Sequence, residues 1–185
     1  DIIKLSLSDI VLTPTIDGIR LIFLLSIYLS SIKVRESGWI LMELACRQSM
    51  SLGLHRSLII NKFGPEKSQE MKRMIWSLIK AESTLCSSLG RPSALPLDEI
   101  DAELPSNDDV HDELFKVFYN QTCNLTKIIF VIMENKRKTQ KEPLSLVNIE
   151  KTLIAQKKLE TFWSNLPESW KDYKSLPVRI SKPML

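Results

Sequence analysis

The side chains best placed to do chemistry are Asp108, Asp109 and Asp112, in the run Asp-Asp-Val-His-Asp. Carboxylates at i, i+1 and i+4 can share a cation, because i and i+4 lie on one helical face. An all-α, magnesium-dependent enzyme acting on a diphosphate would use such a set. Three acids at the start of a helix also complement its dipole. No second acidic motif follows, and a lone short motif often matches by chance. The helix-terminus role is therefore preferred, and a magnesium enzyme is the remotest function open to the chain. His55 and His111 stand apart from any thiol or serine nucleophile at a readable spacing. His55 falls at a helix end, where a cation faces the terminal carbonyls.

Cys46, Cys86 and Cys123 are odd in number, far apart and without C-x-x-C spacing. That pattern indicates free thiols in a reducing compartment, buried among apolar and small neighbours. They cannot build a zinc cluster, which needs closely spaced thiolates. There is no glycine-rich phosphate loop, and aromatics do not interleave with basic residues as on a nucleic-acid surface. The chain is expected to hold no catalytic residue, metal or cofactor.

A different group is more informative. A helix carrying Trp76 and Glu82 runs into Gly90-Arg91-Pro92, and an acidic, proline-bounded segment follows to Pro105. Gly90 accepts a left-handed cap that other residues resist, and Pro92 prevents the helix from continuing. Glu82 lies on the apolar stripe of its helix, and a buried carboxylate needs a partner. Arg91 is the candidate, reaching back about two turns; its alternative is the terminal carbonyls. Glu82 and Arg91 are therefore structural here rather than ligand-sensing. The 15 residues from Arg91 to Pro105 are long for a structureless connection, so they should pack on the helices through Leu97, Ile100 and Leu104.

These residues are positioned by helices. Five can be traced from apolar periodicity. The first begins after Thr13-Pro14, ends near Lys33, and is apolar almost all round, which places it centrally. The second spans about Gly38 to Leu52 and stops at Gly53; Leu41, Leu44, Ala45 and Leu52 line one face. Gln48 shares that face and needs an internal partner. The third runs from Gly64-Pro65 to Gly90 with Met71, Met74, Ile75, Leu78, Leu85 and Leu89 aligned. The fourth covers about Asp108 to Asn135, and ENKRKTQKEP (134–143) follows as a surface loop. The fifth covers about Ser145 to Trp163 and ends at Leu166-Pro167. The opening IIKLSLSDIVL is the tail of an earlier helix. The chain begins and ends in apolar sequence, as a piece of a longer helical domain would. Residues 19–29 are very apolar but too few to span a bilayer.

At 185 residues, 44% apolar and 25% charged, the chain fits one ordinary globular domain or part of a larger one. A net charge of +3 makes no strong case for nucleic acid. The charge is uneven: Asp98 to Glu113 holds eight acids and no Lys or Arg, and Lys127 to Lys158 holds eight bases against three acids. Solvated faces are the simplest reading, docking surfaces of each sign the sharper one. Lys136-Arg137-Lys138 with Lys141 is a short basic cluster, on a solvated loop or as a weak nuclear-import signal. Asn120 and Asn124 match glycosylation acceptors inside a helical pattern, by chance.

Three blocks resemble the fungal-specific transcription factor domain, the middle homology region of fungal binuclear zinc cluster regulators. They are Thr13-Pro-Thr with the apolar helix Leu21–Leu29; Gly38-Trp39 through Leu52-Gly53-Leu54-His55-Arg56; and Lys72-Arg73-Met74-Ile75-Trp76 through Leu89-Gly90-Arg91-Pro92-Ser93-Ala94. Asp98 to Pro105 is similar to the family's acidic ending, and Leu159–Pro167 to its "L..W...LP" block. Ser57 stands where the family usually has an acid, Glu82-Ser83 where it often has Asp-Arg, and Lys80 where it is usually apolar. The resemblance implies an all-α, irregular multi-helix array, with residues 1–185 forming part of one regulatory domain. Its motif residues Gly53, His55, Arg56, Trp76, Glu82, Gly90, Arg91 and Pro92 are expected to be structural. It further implies a nuclear parent protein that regulates RNA polymerase II transcription. That protein would contact DNA through a zinc-binding N-terminal cluster, with coactivator or corepressor proteins or a small-molecule effector as further partners, and no membrane. The rival is a helical protein-interaction scaffold with no DNA-binding parent.

Overall fold

The computed structural model describes residues 9–106, 113–141 and 146–171. Its helices are α1 (Ile16–Ser31), α2 (Arg35–Ser51), α3 (Ser57–Ile60), α4 (Pro65–Leu89), α5 (Glu113–Lys141), α6 (Leu146–Ser164) and α7 (Glu168–Lys171), with a 3₁₀ turn at Leu97–Glu99. No strand occurs among the described residues, and the fold is all-α. Residues 9–12 are helical, in accord with a helical tail there. The chain divides into two compact units, one ending at Cys123 and the other starting at Asn124.

Local rules explain most boundaries. Thr15, not Thr13, caps α1: its Oγ1 accepts the Gly18 N–H at 3.0 Å. Thr13, two residues earlier, instead closes the preceding helical turn, donating its N–H to the Asp9 carbonyl at 2.9 Å. α2 starts three residues before Gly38, and Gly53 after its end takes φ +75°. Gly64 is the N-cap of α4, Pro65 its first residue, and Gly90 its left-handed C-cap at φ +66°. α5 continues through Lys141, so the polar stretch 134–141 is helix and not loop. Its Lys, Arg, Gln and Glu residues are good helix formers, and polarity alone does not break a helix. Residues 142 and 143, the end of the expected loop, lie outside the described residues.

The core of the first unit gathers Ile19 and Ile22 from α1, Met42, Ala45 and Cys46 from α2, and Met71, Ile75, Leu78 and Ile79 from α4. Leu85 packs against it from the side. α1 is not central. It buries Gly18, Ile19, Ile22 and Ser26, while Leu21, Leu24, Leu25 and Tyr28 stay exposed. On the buried face the small Ser26 admits Gly38 of α2. Gln48 donates to the carbonyls of Ile10 and Val11 at 2.8 and 3.2 Å, which supplies the internal partner its side-chain N–H needs; its Oε1 is buried without one.

Gly38 is where α1 and α2 come closest. Its carbonyl accepts the Ser26 hydroxyl at 2.7 Å. A Cβ there would meet Ser30 Oγ at 2.4 Å and the Ser26 carbonyl oxygen at 3.0 Å. The hydroxyl can rotate away, but the carbonyl belongs to the helix. Gly38→Ala is therefore expected to destabilise the chain by about 1–3 kcal/mol, as overpacking does. A urea midpoint equal to wild type would show that the two helices part without cost.

Candidate functional site

The motif residues of the sequence converge on one object, the segment 91–106 laid across α4. Trp76 leaves α4 pointing at it. The indole is 3% exposed, and its N–H donates to the carbonyls of Ala102 at 3.2 Å and Glu103 at 3.0 Å. One turn earlier, buried Lys72 donates to Glu103 Oε2 at 2.6 Å. On the other side the loop after Gly53 supplies matching groups. The His55 carbonyl accepts the N–H groups of Asp101 and Ala102 at 3.1 and 3.2 Å. The Ser57 N–H donates to Asp101 Oδ1, and its hydroxyl to the Asp101 carbonyl, both at 2.6 Å. Arg56 reaches Asp101 Oδ2 at 3.9 Å. Ala94, Leu95 and Ala102 are buried, and Ile100 and Leu104 pack against the core. The expected packing of this stretch holds, although the Leu97 side chain lies outside the described residues.

His55 thus acts through its carbonyl, while its Nδ1 is buried without a partner. The Asp101 carboxylate accepts the Ser57 N–H, so an acidic side chain at position 57 would stand beside a like charge. Lys80, placed where an apolar residue was expected, lies over the Tyr119 ring at 3.6 Å. Burial lowers its pKa, and the ring face attracts the ammonium.

At the other end of the segment sits Glu82, 1% exposed. Arg91 does not reach it. Beyond the left-handed Gly90 the chain has turned, and Arg91 crosses to α2. There its guanidinium lies 4.3 Å from the Trp39 ring centroid and donates to Glu36 Oε1 at 2.8 Å. The partner of Glu82 is the segment itself: Ala94 N–H donates to Oε1 at 2.7 Å. The Cys86 thiol lies 3.6 Å from the same oxygen, 3.7 Å from Glu43 Oε1 and 3.4 Å from the Pro92 carbonyl.

Glu43, Glu82 and Cys86 therefore form a cluster whose ligand atoms lie within 4.8 Å of one another. Burial raises the pKa of Glu82 against its hydrogen bonds from Ser93, Ala94 and Cys86. Burial, and then the charge of Glu82, raises Glu43. The same two causes push the Cys86 thiol up to about 12. Two carboxyls and a thiol can store protons here or ligate a divalent cation. The Trp39 N–H, buried without a bonding partner, lies near enough to favour the charged forms of Glu43 and Cys86. Sequence alone gives Cys86 as a buried thiol but does not place Glu43, Trp39 or Lys72 at this site, because nothing local joins α2 or Glu103 to α4. Asp108, Asp109 and Asp112 lie outside the described residues, as does His111.

A family model described as the fungal specific transcription factor domain matches residues 2–169. The chain is 29% identical over 173 residues to a transcriptional regulatory protein of Schizosaccharomyces pombe, covering 90% of this chain and 26% of the relative. It is 32% identical over 100 residues to a negative regulator of pleiotropic drug resistance from Candida glabrata, covering 52% and 10%. It is 29% identical over 84 residues to an ABC-transporter-regulating transcription factor of Aspergillus fumigatus, covering 45% and 9%. The chain thus spans about a quarter or less of these relatives. No solved structure matches it significantly. With the helical array and the docked acidic segment in place, the match over residues 2–169 shows that the chain belongs to the fungal specific transcription factor domain family.

Proposed function

We propose that residues 1–185 are part of the regulatory domain of a nuclear fungal zinc-cluster regulator that controls RNA polymerase II transcription. The observation that carries this reading is the family match over residues 2–169, with relatives that are themselves transcriptional regulators. DNA contact comes from a binuclear zinc cluster elsewhere in the parent protein, which is where zinc is bound. Partners of the present segment are coactivator or corepressor proteins and a small-molecule effector. No helix among the described residues is long and apolar enough to cross a membrane. The segment has no catalytic role, and its motif residues serve to hold the 91–106 strap on α4. A regulatory domain of this kind needs two states that differ in affinity for a ligand or partner.

The test is a reporter. The chain is placed between a heterologous DNA-binding domain and an activating segment in yeast. Output several-fold below, or made conditional relative to, that of an unrelated helical insert of equal length supports regulation. Output equal to the control in all conditions overturns it and leaves a scaffold. The reading frame upstream of Asp1 should also encode six cysteines in zinc-cluster spacing followed by a basic linker.

A further inference from the structure

The second unit contains a cleft of about 640 Å³ between the C-terminal part of α5 and α6. Its α5 wall is Ile132, Asn135 and Lys136; its α6 wall includes Thr152, Ala155 and Leu159. Buried Ala155 leaves room where a larger residue would fill the space. Asn135 Nδ2 donates to the Lys151 carbonyl at 3.3 Å, which ties the helices together across it. The apolar walls are open to solvent: Ile132 is 38% exposed and Leu159 42%. Trp163, one turn beyond Leu159, is 54% exposed.

Charge selects among occupants. Among the described residues that line the cleft, Lys136 is the charged one and none is acidic. Lys136 has no ion pair among the described residues. The surrounding stretch 127–158 holds eight bases against three acids, so an anion is drawn toward it. The volume falls within the 300–1,000 Å³ or so of small-molecule sites, which combine apolar walls with a few placed polar groups. A cation or a neutral polar ligand would gain nothing from Lys136 and would leave the walls uncovered.

We propose that the α5–α6 cleft binds a small amphipathic carboxylate. Its apolar body lies against Ile132, Ala155 and Leu159, and its anionic head meets the Lys136 ammonium. This gives the proposed effector a place and a chemical class. It rests on the regulatory reading only in calling the occupant an effector, because binding is measured on the isolated chain while regulation is read by the reporter.

The experiment uses the 185-residue chain, with dodecanoate below its micelle concentration as ligand and dodecanol as the neutral control. Binding is followed by intrinsic tryptophan fluorescence and calorimetry. One site per chain is expected, with dodecanol and Lys136→Gln each weakening binding about tenfold, as loss of a charge-assisted hydrogen bond does. Leu159→Asp should abolish it. Lys136 is exposed, so its variant keeps the fold, as checked by circular dichroism. Three results overturn the proposal: no saturable dodecanoate binding; equal affinity for acid and alcohol, or for wild type and Lys136→Gln; or occupation of the cleft by an acidic helical peptide but not by dodecanoate.

Discussion

Replacing Trp76 by alanine is expected to cost about 3–5 kcal/mol, the usual price of deleting a buried tryptophan side chain. Domains of this kind are stable by only about 5–15 kcal/mol, so the variant sits at the edge of folding. The residue matters twice. Its ring lies in the core with Ile75 and Ile79 of α4, and its N–H ties the carbonyls of Ala102 and Glu103 to that helix. Trp76→Phe separates the roles. It keeps most of the apolar contact and leaves two carbonyls without their donor, a loss of about 1–3 kcal/mol. The effect should be local. The N–H groups of Asp101 and Ala102, bonded to the His55 carbonyl, will exchange with solvent faster in Trp76→Phe, while those of α1 and α2 will not. Equal acceleration throughout the first unit would mean that the strap is no separate element and that Trp76 is an ordinary core residue.

The contrast between what the sequence foretold and what it hid follows range of interaction. Both ends of α4 are legible, because Gly64, Pro65 and Gly90 act on their own backbone. Helix content was legible for the same reason, through periodicity that each segment carries alone. The short helices Ser57–Ile60 and Leu97–Glu99 were not, since one turn is too brief to show a period. α1 misled by being apolar on every side. Which face is buried was decided by the small residues Ser26 and Gly38, which let two backbones approach, and hydrophobicity says nothing about that. The motif residues were legible as landmarks but their contacts were not. Arg91 is near Glu82 in sequence yet pairs with Glu36, 55 residues away, because the left-handed turn at Gly90 redirects the chain. Cys86 could be read as buried, but Glu43 beside it could be found only after α2 was laid on α4.

Glu82 gives the second large effect, and its sign depends on pH. The carboxyl titrates ordinarily at 4.5, and burial raises it in the fold; Glu43 is raised likewise. A raised carboxyl means that the folded chain holds protons the unfolded chain has released. The stabilisation from that protonation is complete below about pH 4.5 and is lost as pH rises through the folded values. Stability from this cluster therefore falls from acid toward neutral pH, opposite to an exposed salt-bridged carboxylate. Glu82→Gln removes the charge and keeps an oxygen for the Ala94 N–H. Its amide can also donate to the Glu43 carboxylate. The variant should match wild type near pH 4.5 and exceed it at pH 8. Glu82→Ala leaves the buried Ala94 N–H without an acceptor and opens a void, so it should lose about 1–3 kcal/mol or more at both pH values. Urea unfolding of the three proteins at pH 4.5 and 8 separates these effects. If Glu82→Gln is weaker than wild type by the same margin at both, the ionised carboxylate is no burden to the fold. Glu82 would then be held by its hydrogen bonds alone, with Cys86 and Glu43 as neutral neighbours.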